Sequence, residues 1–590
     1  MVESGNKSKY NNQPVVEITD IPARVESGWY SICNRLNLEI NSIQKSRKVV
    51  VIETYQGVIH EELKEELKKG LVHSSFMDAE HAMYSEEVIR KMVQPGLTED
   101  RIFGFLSPFD MDVFFDPDKV SGIQANIDAQ KDGVIVVYGS GSAIIYPEPD
   151  LLVYADMARW EIQLRMREHL VDNLGMKNRH TEDWMLLYKQ GYFLDWRVCD
   201  RLKKKLFRKW DFLLDTNRAG KPKMVEGAAV LKALEATVRR PFSVAPFFDP
   251  GPWGGQWMKK VCNLDERVSN YAWCFNCVPE ENSLLLKFGD STIEIPSINL
   301  VFLYPQELLG EHVHNRFGDE FPIRFDFLDT MQGGNLSLQV HPLTDYIQEK
   351  FGIPYTQDES YYLMDTADDA MVYLGLRENV NPDQMIRDLE DAQSGVAGFD
   401  ADRHIQTWPV KKHDHVLIPA GTVHCSGKNS MVLEISATPY IFTFKLWDWG
   451  RLGMDGKPRP INIEHGKQVI QWERTSTWTR ENLLHRIEQV DQGNGWIEER
   501  TGLHELEFIE TRRHWFSRKV EHNTDGTVHV ICLVEGKEVL VESPDKRFEP
   551  FLVHYAEVFI VPAIVGRYSI RPFGDAEGQE CATVKAYVRS

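Results

Sequence analysis

The 590-residue sequence has no apolar stretch long enough to cross a membrane and few cysteines for its length. A membrane-spanning helix needs about 20 consecutive apolar residues, and no such run occurs. The first residues, MVESGNKSKYNNQP, lack the apolar segment of a secretory signal. Eight cysteines in such a length do not form a disulfide framework. We therefore predict a cytoplasmic protein that keeps its thiols reduced and has no membrane partner.

Basic charge is also scarce. The chain has 67 Lys and Arg against 88 Asp and Glu, a formal net charge of -21. Nucleic acids and anionic membranes require a basic surface on their partner, so neither is expected to bind. The basic run that includes Arg201, Lys203 and Lys205 is interpreted as the solvated face of a helix. An anionic substrate would have to be held by local basic groups.

The first 235 residues lack a phosphate-binding loop. Segments with strand and helix character alternate there, which predicts an α/β layer with a parallel sheet. This arrangement, with Asp156 and the helix Arg159–Arg167 after a late strand, resembles a nucleoside or uridine kinase. The first strand, however, is followed by ETYQGVIHEE (residues 53–62) and not by GxxxxGK[ST]. The glycine-rich segment 138–143 is interpreted as a turn. We predict a kinase-like domain over residues 1–235 without phosphotransfer.

Four candidate metal ligands occur in three short segments further along the chain. Gln339 and His341 point to the same side of a predicted strand because they are two residues apart. Glu359 opens a second strand-like segment, and His424 follows a Pro/Gly turn. A lone histidine in a strand is usually an ordinary core residue. The combination of these three segments in this order instead indicates a metal site. One amide oxygen, two imidazoles and one carboxylate suit zinc, with positions left open for water or substrate.

The order of these segments carries a resemblance. QVHP (339–342), the strand that begins ESYY (359–362) and PAGTVH (419–424) resemble the type I phosphomannose isomerases. These are zinc-dependent cupin enzymes that interconvert mannose 6-phosphate and fructose 6-phosphate through an enediol. The likeness begins at PWGG (252–255), continues through Asp448 and GKPR (456–459), and covers about residues 240 to 590. It implies Zn²⁺ bound by Gln339, His341, Glu359 and His424, and a sugar or sugar phosphate as partner.

The resemblance also implies roles for residues around the metal. Glu434 matches a glutamate that the family keeps beside it, and Lys445 falls, with an offset of one residue, on an arginine of proton transfer. These two are the catalytic candidates. Trp253 would help to close the site, and Ser337 lies on the strand that carries the ligands.

Two family lysines are replaced in this chain, by Asp326 and by Gln357. Arg324 would share a face with Asp326, an arrangement that allows an Arg–Asp pair. We include Arg324, Asp326 and Gln357 with Trp253 and Ser337 as substrate-binding candidates. Cations hold a dianionic phosphate and stabilise an enediolate, so these replacements count against a phosphorylated substrate.

The predicted fold is multidomain. An N-terminal α/β domain precedes a mainly-β double cupin, each cupin a β-barrel or jelly roll. A metal-binding cupin over residues 236–460 contains a helical insertion at residues 381–393. Residues 557–567 echo residues 415–424, which predicts a second, degenerate cupin over residues 461–590. Arg567 stands at the position of His424 in this echo, so no metal is expected there.

The leading hypothesis is a zinc-dependent isomerase of the mannose-6-phosphate isomerase type. An isomerase of an unphosphorylated sugar fits the replaced lysines. A non-catalytic, metal-dependent carbohydrate sensor is the alternative from another class. An iron-dependent cupin oxygenase is disfavoured, because Gln339 replaces the first histidine of an HxH pair. The sequence leaves the oligomeric state open.

Overall fold

The computed structural model describes residues 8–71, 73–437, 442–453, 456, 459, 461–502 and 504–589. The chain divides into two units. The N-terminal unit comprises Val15–Ala236 and Ser283–Leu303, and the C-terminal unit comprises Thr237–Asn282 and Tyr304–Ser590 with the residues up to Pro14. In the described part of the chain, no helix is long and apolar enough to span a membrane.

The N-terminal unit contains a seven-stranded sheet. In spatial order its strands are Glu26–Ser27, Lys223–Glu226, Phe212–Asp215, Leu151–Asp156, Arg47–Thr54, Gly133–Gly139 and Ser74–Asp78. The last five run parallel to one another, and every residue of Leu151–Asp156 is buried. Burial on both faces is typical of a parallel sheet covered by helices. The predicted parallel α/β layer is confirmed, and its likeness to a kinase stays a prediction.

Helices surround this sheet. They are Trp29–Ser42, His60–Gly70, Glu86–Leu97, Pro117–Ala129, Ser142–Ile145, Arg159–Arg167, Trp184–Gln190, Trp196–Leu206, Gly227–Val238 and Ile298–Leu303. The interpretation of the basic run as a solvated face is wrong for Lys203. Its ammonium is buried and lies 2.6 Å from Asp156 Oδ1, because it projects inward from the helix Trp196–Leu206.

A smaller sheet completes the N-terminal unit. Val15–Ile18 pairs in parallel with Ser283–Phe288, which pairs in turn with Ser291–Pro296. These last two strands were expected within the metal-binding cupin. The three-domain division at residues 235 and 460 stays a prediction.

Two sheets in the C-terminal unit surround the candidate metal ligands. The first has the order His415–Ile418, Asp358–Thr366, Ser430–Ala437, Arg324–Asp329, Trp273–Cys277 and Phe247–Asp249. The second has the order Ile405–Pro409, Met371–Leu376, His424–Ser426, Leu338–Val340 and Phe444–Trp447. The predicted helix at residues 381–393 is confirmed as Pro382–Gln393.

Two further sheets follow. One has the order Glu488–Gly493, Trp496–Gly502, Ile509–Phe516, Cys581–Val588, His529–Glu535 and Val558–Val561. The other has the order Val520–Asn523, Arg567–Pro572, Glu538–Glu542 and Phe551–His554. An apolar core that includes Phe516, Ile531 and Phe559 forms within this pair of sheets. Arg567 is exposed and pairs with Asp545 at 2.7 Å.

The remaining helices of the C-terminal unit are short. They are Trp257–Val261, Pro305–Leu309, Glu311–Phe317, Thr344–Phe351, Ala401–His404, Ile463–Val469 and Ser476–Asn482. Strands therefore dominate this unit, as the sequence predicts.

Candidate metal centre

Strand register brings the candidate ligands together. Gln339 lies directly opposite His424 in the antiparallel pair Leu338–Val340 and His424–Ser426, so their side chains share a face. His341 follows the end of the first of these strands. Glu359 reaches the same point from Asp358–Thr366 in the other sheet. The centre therefore depends on residues from two sheets that face each other.

Both histidines present the same ring nitrogen to the centre. His341 Nδ1 lies 3.0 Å from the backbone oxygen of Phe442, and His424 Nδ1 lies 2.8 Å from that of Thr422. A carbonyl oxygen can only accept, so each Nδ1 carries a proton and each Nε2 is the nitrogen that faces the centre. Backbone contacts of this kind orient the histidines that bind metals in proteins.

Glu359 lies between these two nitrogens. Its Oε2 is 3.1 Å from His341 Nε2 and its Oε1 is 2.8 Å from His424 Nε2. All three residues are buried, and their ligand atoms lie within 4.8 Å of one another. His341 Nε2 and Glu359 Oε1 are buried without a hydrogen bond of acceptable geometry. Unsatisfied buried polar atoms are costly, and a divalent cation would satisfy both. The donor set thus fits a metal ion.

The charges around Glu359 agree with this arrangement. Burial alone would raise the pKa of its carboxyl, but His341 and His424 outweigh burial and lower that pKa well below its usual value. The carboxylate is therefore ionised, which is the form that binds cations.

Gln339 is the fourth candidate ligand. Its Nε2 lies 3.3 Å from His424 Nε2. Side-chain amide orientations are assigned from hydrogen bonding, and the opposite orientation brings Oε1 to the same place. Gln339 is therefore close enough to supply an oxygen ligand.

Three acidic or basic side chains lie beside Glu359 on the first sheet. Arg324 and Glu359 both lie opposite Ser436, and Asp326 lies opposite Glu434. Arg324 Nη2 donates to Asp326 Oδ2 at 2.9 Å, with both side chains buried. The Arg–Asp pair predicted from the sequence is thus confirmed.

Burial governs the ionisation of this group. It raises the pKa of Asp326 to about 6, although Arg324 opposes the shift. Burial, followed by the charges of Glu359 and Asp326, raises the pKa of Glu434 well above its usual value. Glu434 therefore holds a proton more readily than an exposed glutamate does.

Gln357 connects the acidic groups. Its Nε2 lies 3.0 Å from Glu359 Oε2 and 3.4 Å from Glu434 Oε1, and its Oε1 accepts from the backbone N–H of Phe442 at 2.8 Å. Gln357 thus lies inside the centre and positions two carboxyl groups without adding charge.

Lys445 lies opposite Gln339 in the register of the second sheet, so its side chain leaves the sheet on the face that carries the ligands. Ser337 lies in a neighbouring polar network. Its Oγ donates to Asp448 Oδ1 at 2.7 Å, and Arg459 Nη1 lies 2.9 Å from the same Oγ. Arg451 also binds Asp448, at 2.6 Å. Lys457 and Pro458, in the GKPR segment, lie outside the described residues.

Trp253 is fully buried and contacts Trp273 edge to face, with 4.7 Å between ring centroids. A side chain at Gly255 would collide with Asp329, so the backbone must pass close to this carboxylate. The Trp-Gly-Gly segment therefore packs tightly within the fold, and a role of Trp253 in closing the site stays a prediction.

Sequence reasoning did not select Tyr361. It lies two residues after Glu359 and opposite Glu434, so it shares their face. Its hydroxyl is buried, the nearby Glu359 carboxylate contributes to raising its pKa after burial, and its ring meets that of His424 edge to face at 5.9 Å. Strand alternation from Glu359 was the signal that could have identified it.

Comparisons with known proteins match different parts of the chain. Residues 28–239 match the model of a domain family of unknown function, DUF8485. The chain is similar to the probable mannose-6-phosphate isomerase GmuF of Bacillus subtilis, at 28% identity over 180 residues. That alignment covers 30% of this chain and 52% of the relative.

Two further similarities concern proteins of the same name. Mannose-6-phosphate isomerase of Streptococcus mutans is 25% identical over 221 residues, 37% of this chain and 64% of the relative. The crystal structure of the Bacillus subtilis enzyme overlaps 59% of this chain and 100% of its own length, with a TM-score of 0.48 and 18% identity. The chain thus spans about half to two thirds of the curated relatives it matches.

Proposed function

We propose that the C-terminal unit is a metal-dependent aldose–ketose isomerase with zinc as its cofactor. The proposed ligands are Gln339, His341, Glu359 and His424. The proposal rests on the two imidazole Nε2 atoms that approach one buried carboxylate. The partial similarity to mannose-6-phosphate isomerases supports a sugar as the substrate.

Isomerisation moves a proton between C1 and C2 of the sugar through an enediol. A bound divalent ion would polarise the sugar oxygens as negative charge develops. Glu434 is the proposed group for proton transfer, because it shares a face with Glu359 and is oriented by Gln357. A buried carboxyl with a raised pKa can both accept a proton and return it. Lys445, beside Gln339, is proposed to stabilise the developing charge.

The substrate is proposed to be unphosphorylated. Asp326 pairs with Arg324 and Gln357 is neutral, so neither replaced position offers a cation to phosphate. Lys412 pairs with Glu535 at 2.5 Å, so its charge is already compensated. Dianionic phosphate is normally held by Arg and Lys, and a free aldose needs no such group.

Proton NMR in heavy water tests the proposal. Zinc-loaded protein is incubated with mannose and, separately, with mannose 6-phosphate. We expect loss of the C2 proton signal of mannose and appearance of the ketose, both abolished by His424→Ala. Turnover of the phosphate ester in preference to mannose would refute the substrate, and no exchange with a range of aldoses would refute the isomerase.

The same two replacements favour a second candidate, a non-catalytic carbohydrate sensor. A site that lost its cations can retain metal-dependent sugar binding while the enediolate is no longer stabilised. Calorimetry and the proton NMR assay together distinguish the candidates. A sensor binds the sugar in calorimetry with zinc present, and the NMR signal of its C2 proton does not change.

A further inference from the structure

The parallel sheet of the N-terminal unit contains a crevice that the proposed isomerase does not use. After Arg47–Thr54 the chain crosses the sheet in one direction, to Ser74–Asp78, and after the adjacent Gly133–Gly139 it crosses in the other, to Leu151–Asp156. Adjacent strands whose connections leave in opposite directions open a crevice at their carboxyl ends, where ligands of α/β proteins bind. A cavity of about 380 Å³ lies there, lined by residues that include Gln56 and Ser140.

A chain of four hydrogen-bonding side chains ends in this crevice. Glu80 Oε1 lies 3.0 Å from His60 Nδ1, and Thr54 Oγ1 lies 2.9 Å from His60 Nε2. Thr54 Oγ1 is also 3.0 Å from Ser140 Oγ. Of these four residues, Glu80, His60 and Ser140 line the cavity.

The chain has a preferred direction. When His60 is neutral, the Glu80 carboxylate accepts from Nδ1–H and Nε2 accepts from the Thr54 hydroxyl; burial opposes protonation of His60, but Glu80 raises its pKa, and in the protonated form Nε2 donates to Thr54 instead. In the neutral form, the Thr54 oxygen accepts from the Ser140 hydroxyl, and the Ser140 oxygen presents its remaining lone pairs to the cavity. Hydrogen bonds in series polarise one another. Ser140 is therefore an acceptor for a ligand that donates a hydrogen bond, as a hydroxyl does.

The backbone N–H groups that would bind a phosphate in this crevice already bind a carboxylate of the protein. The glycine-rich segment 138–143 directs backbone N–H groups at Glu53, whose carboxylate accepts from Gly141 N at 2.7 Å and from Ala143 N at 2.8 Å. The protein's own carboxylate thus occupies the position that a phosphate would take in such a loop.

The arginine of the crevice is occupied as well. Arg179 Nε donates to Asp172 at 2.7 Å, and Arg179 Nη2 lies 3.1 Å from Glu61. Lys177 is the other cation of the lining, and three carboxylates, those of Glu61, Glu80 and Asp172, face these two cations. The crevice therefore offers little attraction to an anion. Val58, Leu174 and Met176 add apolar surface to the lining.

We propose that this crevice is a second small-molecule site, which takes an uncharged, hydroxyl-rich ligand of the size of a monosaccharide or nucleoside. Its volume lies at the lower end of the range of small-molecule pockets, about 300–1,000 Å³. The Ser140 oxygen accepts from a ligand hydroxyl, and the apolar lining contacts the carbon skeleton. The site belongs to the N-terminal unit alone and does not depend on the isomerase proposal.

The test is calorimetry on the full-length protein, with metal removed by a chelator so that metal-dependent sugar binding is absent. The probes are mannose, ribose and uridine, each compared with its monophosphate. Comparison of the affinities for mannose and ribose with that for uridine distinguishes a site for a free sugar from a site for a nucleoside. Ser140→Ala removes the acceptor, and Glu80→Gln, at a half-exposed side chain, disturbs the chain without altering the core. Ser142→Ala is the matched control, because Ser142 lies in the same loop but contacts Glu53.

We expect at least one neutral probe to bind and its monophosphate to bind at least tenfold more weakly. Ser140→Ala and Glu80→Gln should each weaken binding, Ser140→Ala by about tenfold, the effect of one lost hydrogen bond. Ser142→Ala should change the affinity less than twofold. Failure of all neutral probes to bind, tighter binding of the monophosphates, or equal affinities of the Ser140→Ala and Ser142→Ala variants would overturn the proposal.

Discussion

Removal of the Arg324 guanidinium should destabilise the C-terminal unit, because Asp326 would keep a buried carboxylate without its counter-charge. The two side chains are only 3% and 5% exposed, and 2.9 Å separates Arg324 Nη2 from Asp326 Oδ2. Asp326 also lies opposite Glu434, so no basic side chain replaces Arg324 from that strand.

The expected magnitude follows from the burial of the pair. Loss of one partner of a buried ion pair costs about 3–5 kcal/mol, whereas replacement of both by apolar residues is often neutral. Arg324→Met should therefore cost about 3–5 kcal/mol of unfolding free energy, and Arg324→Met with Asp326→Leu less than about 1 kcal/mol. Burial already raises the pKa of Asp326 to about 6. A carboxyl with a raised pKa in the folded state stabilises the fold when protonated and loses that contribution as pH rises, so the single variant should lose less stability at pH 5 than at pH 8.

Urea unfolding of metal-free protein, followed by tryptophan fluorescence and circular dichroism, measures these differences. The two units need not unfold together, so the transition of the C-terminal unit must be resolved. A cost below about 1 kcal/mol for Arg324→Met would show that Asp326 does not depend on its partner. The argument for a neutral sugar, which rests on this pair, would then fail.

Three further predictions concern charge. Gln357→Lys places a cation beside Glu359. It should shift the ratio of kcat/KM for mannose 6-phosphate to that for mannose about tenfold toward the phosphate ester, as one added ionic hydrogen bond would do. Steady-state kinetics that show no shift would contradict the proposed role of this position. Glu434→Gln should lower kcat by about 10²- to 10⁴-fold, the usual contribution of general acid–base catalysis, while KM for mannose changes little. If the C2 proton of mannose exchanged with solvent at the wild-type rate in this variant, Glu434 would have no part in the mechanism. Burial raises the pKa of Asp195 in the N-terminal unit to about 7 from a usual value of 3.8, so the wild type should lose stability as pH rises between those values. Asp195→Asn should flatten this dependence, which urea midpoints measured from pH 4 to pH 8 will reveal.

The sequence predicted the elements of the candidate centre because its signals are local. Alternation placed Gln339 and His341 on one face, and a Pro/Gly turn preceded His424. It could not give the register, in which Gln339 lies opposite His424 and Asp326 lies opposite Glu434. Register depends on pairing between strands that are distant in sequence, here 85 residues for Gln339 and His424 and 108 residues for Asp326 and Glu434. Local patterns do not encode it.

Contacts between segments still further apart in the chain could not be predicted from the sequence for the same reason. Val15–Ile18 pairs in parallel with Ser283–Phe288, and the latter strand looks locally like any other strand of the cupin region. Lys203 belongs to a run of cations that is typical of a solvated face, yet it meets Asp156 inside the fold. Tertiary partners decided both outcomes.

The most direct test of the central claim is zinc analysis of the purified protein, combined with X-ray absorption at the zinc edge. The account predicts one zinc per chain, with two imidazole nitrogens at about 2.0–2.1 Å and oxygen ligands at about 2.0–2.2 Å. His341→Asn and His424→Ala should each reduce the zinc content, whereas His529→Asn, at a buried histidine of the other pair of sheets, should not. Zinc-free protein that fails to bind added zinc, or zinc content unchanged by both ligand variants, would contradict the account.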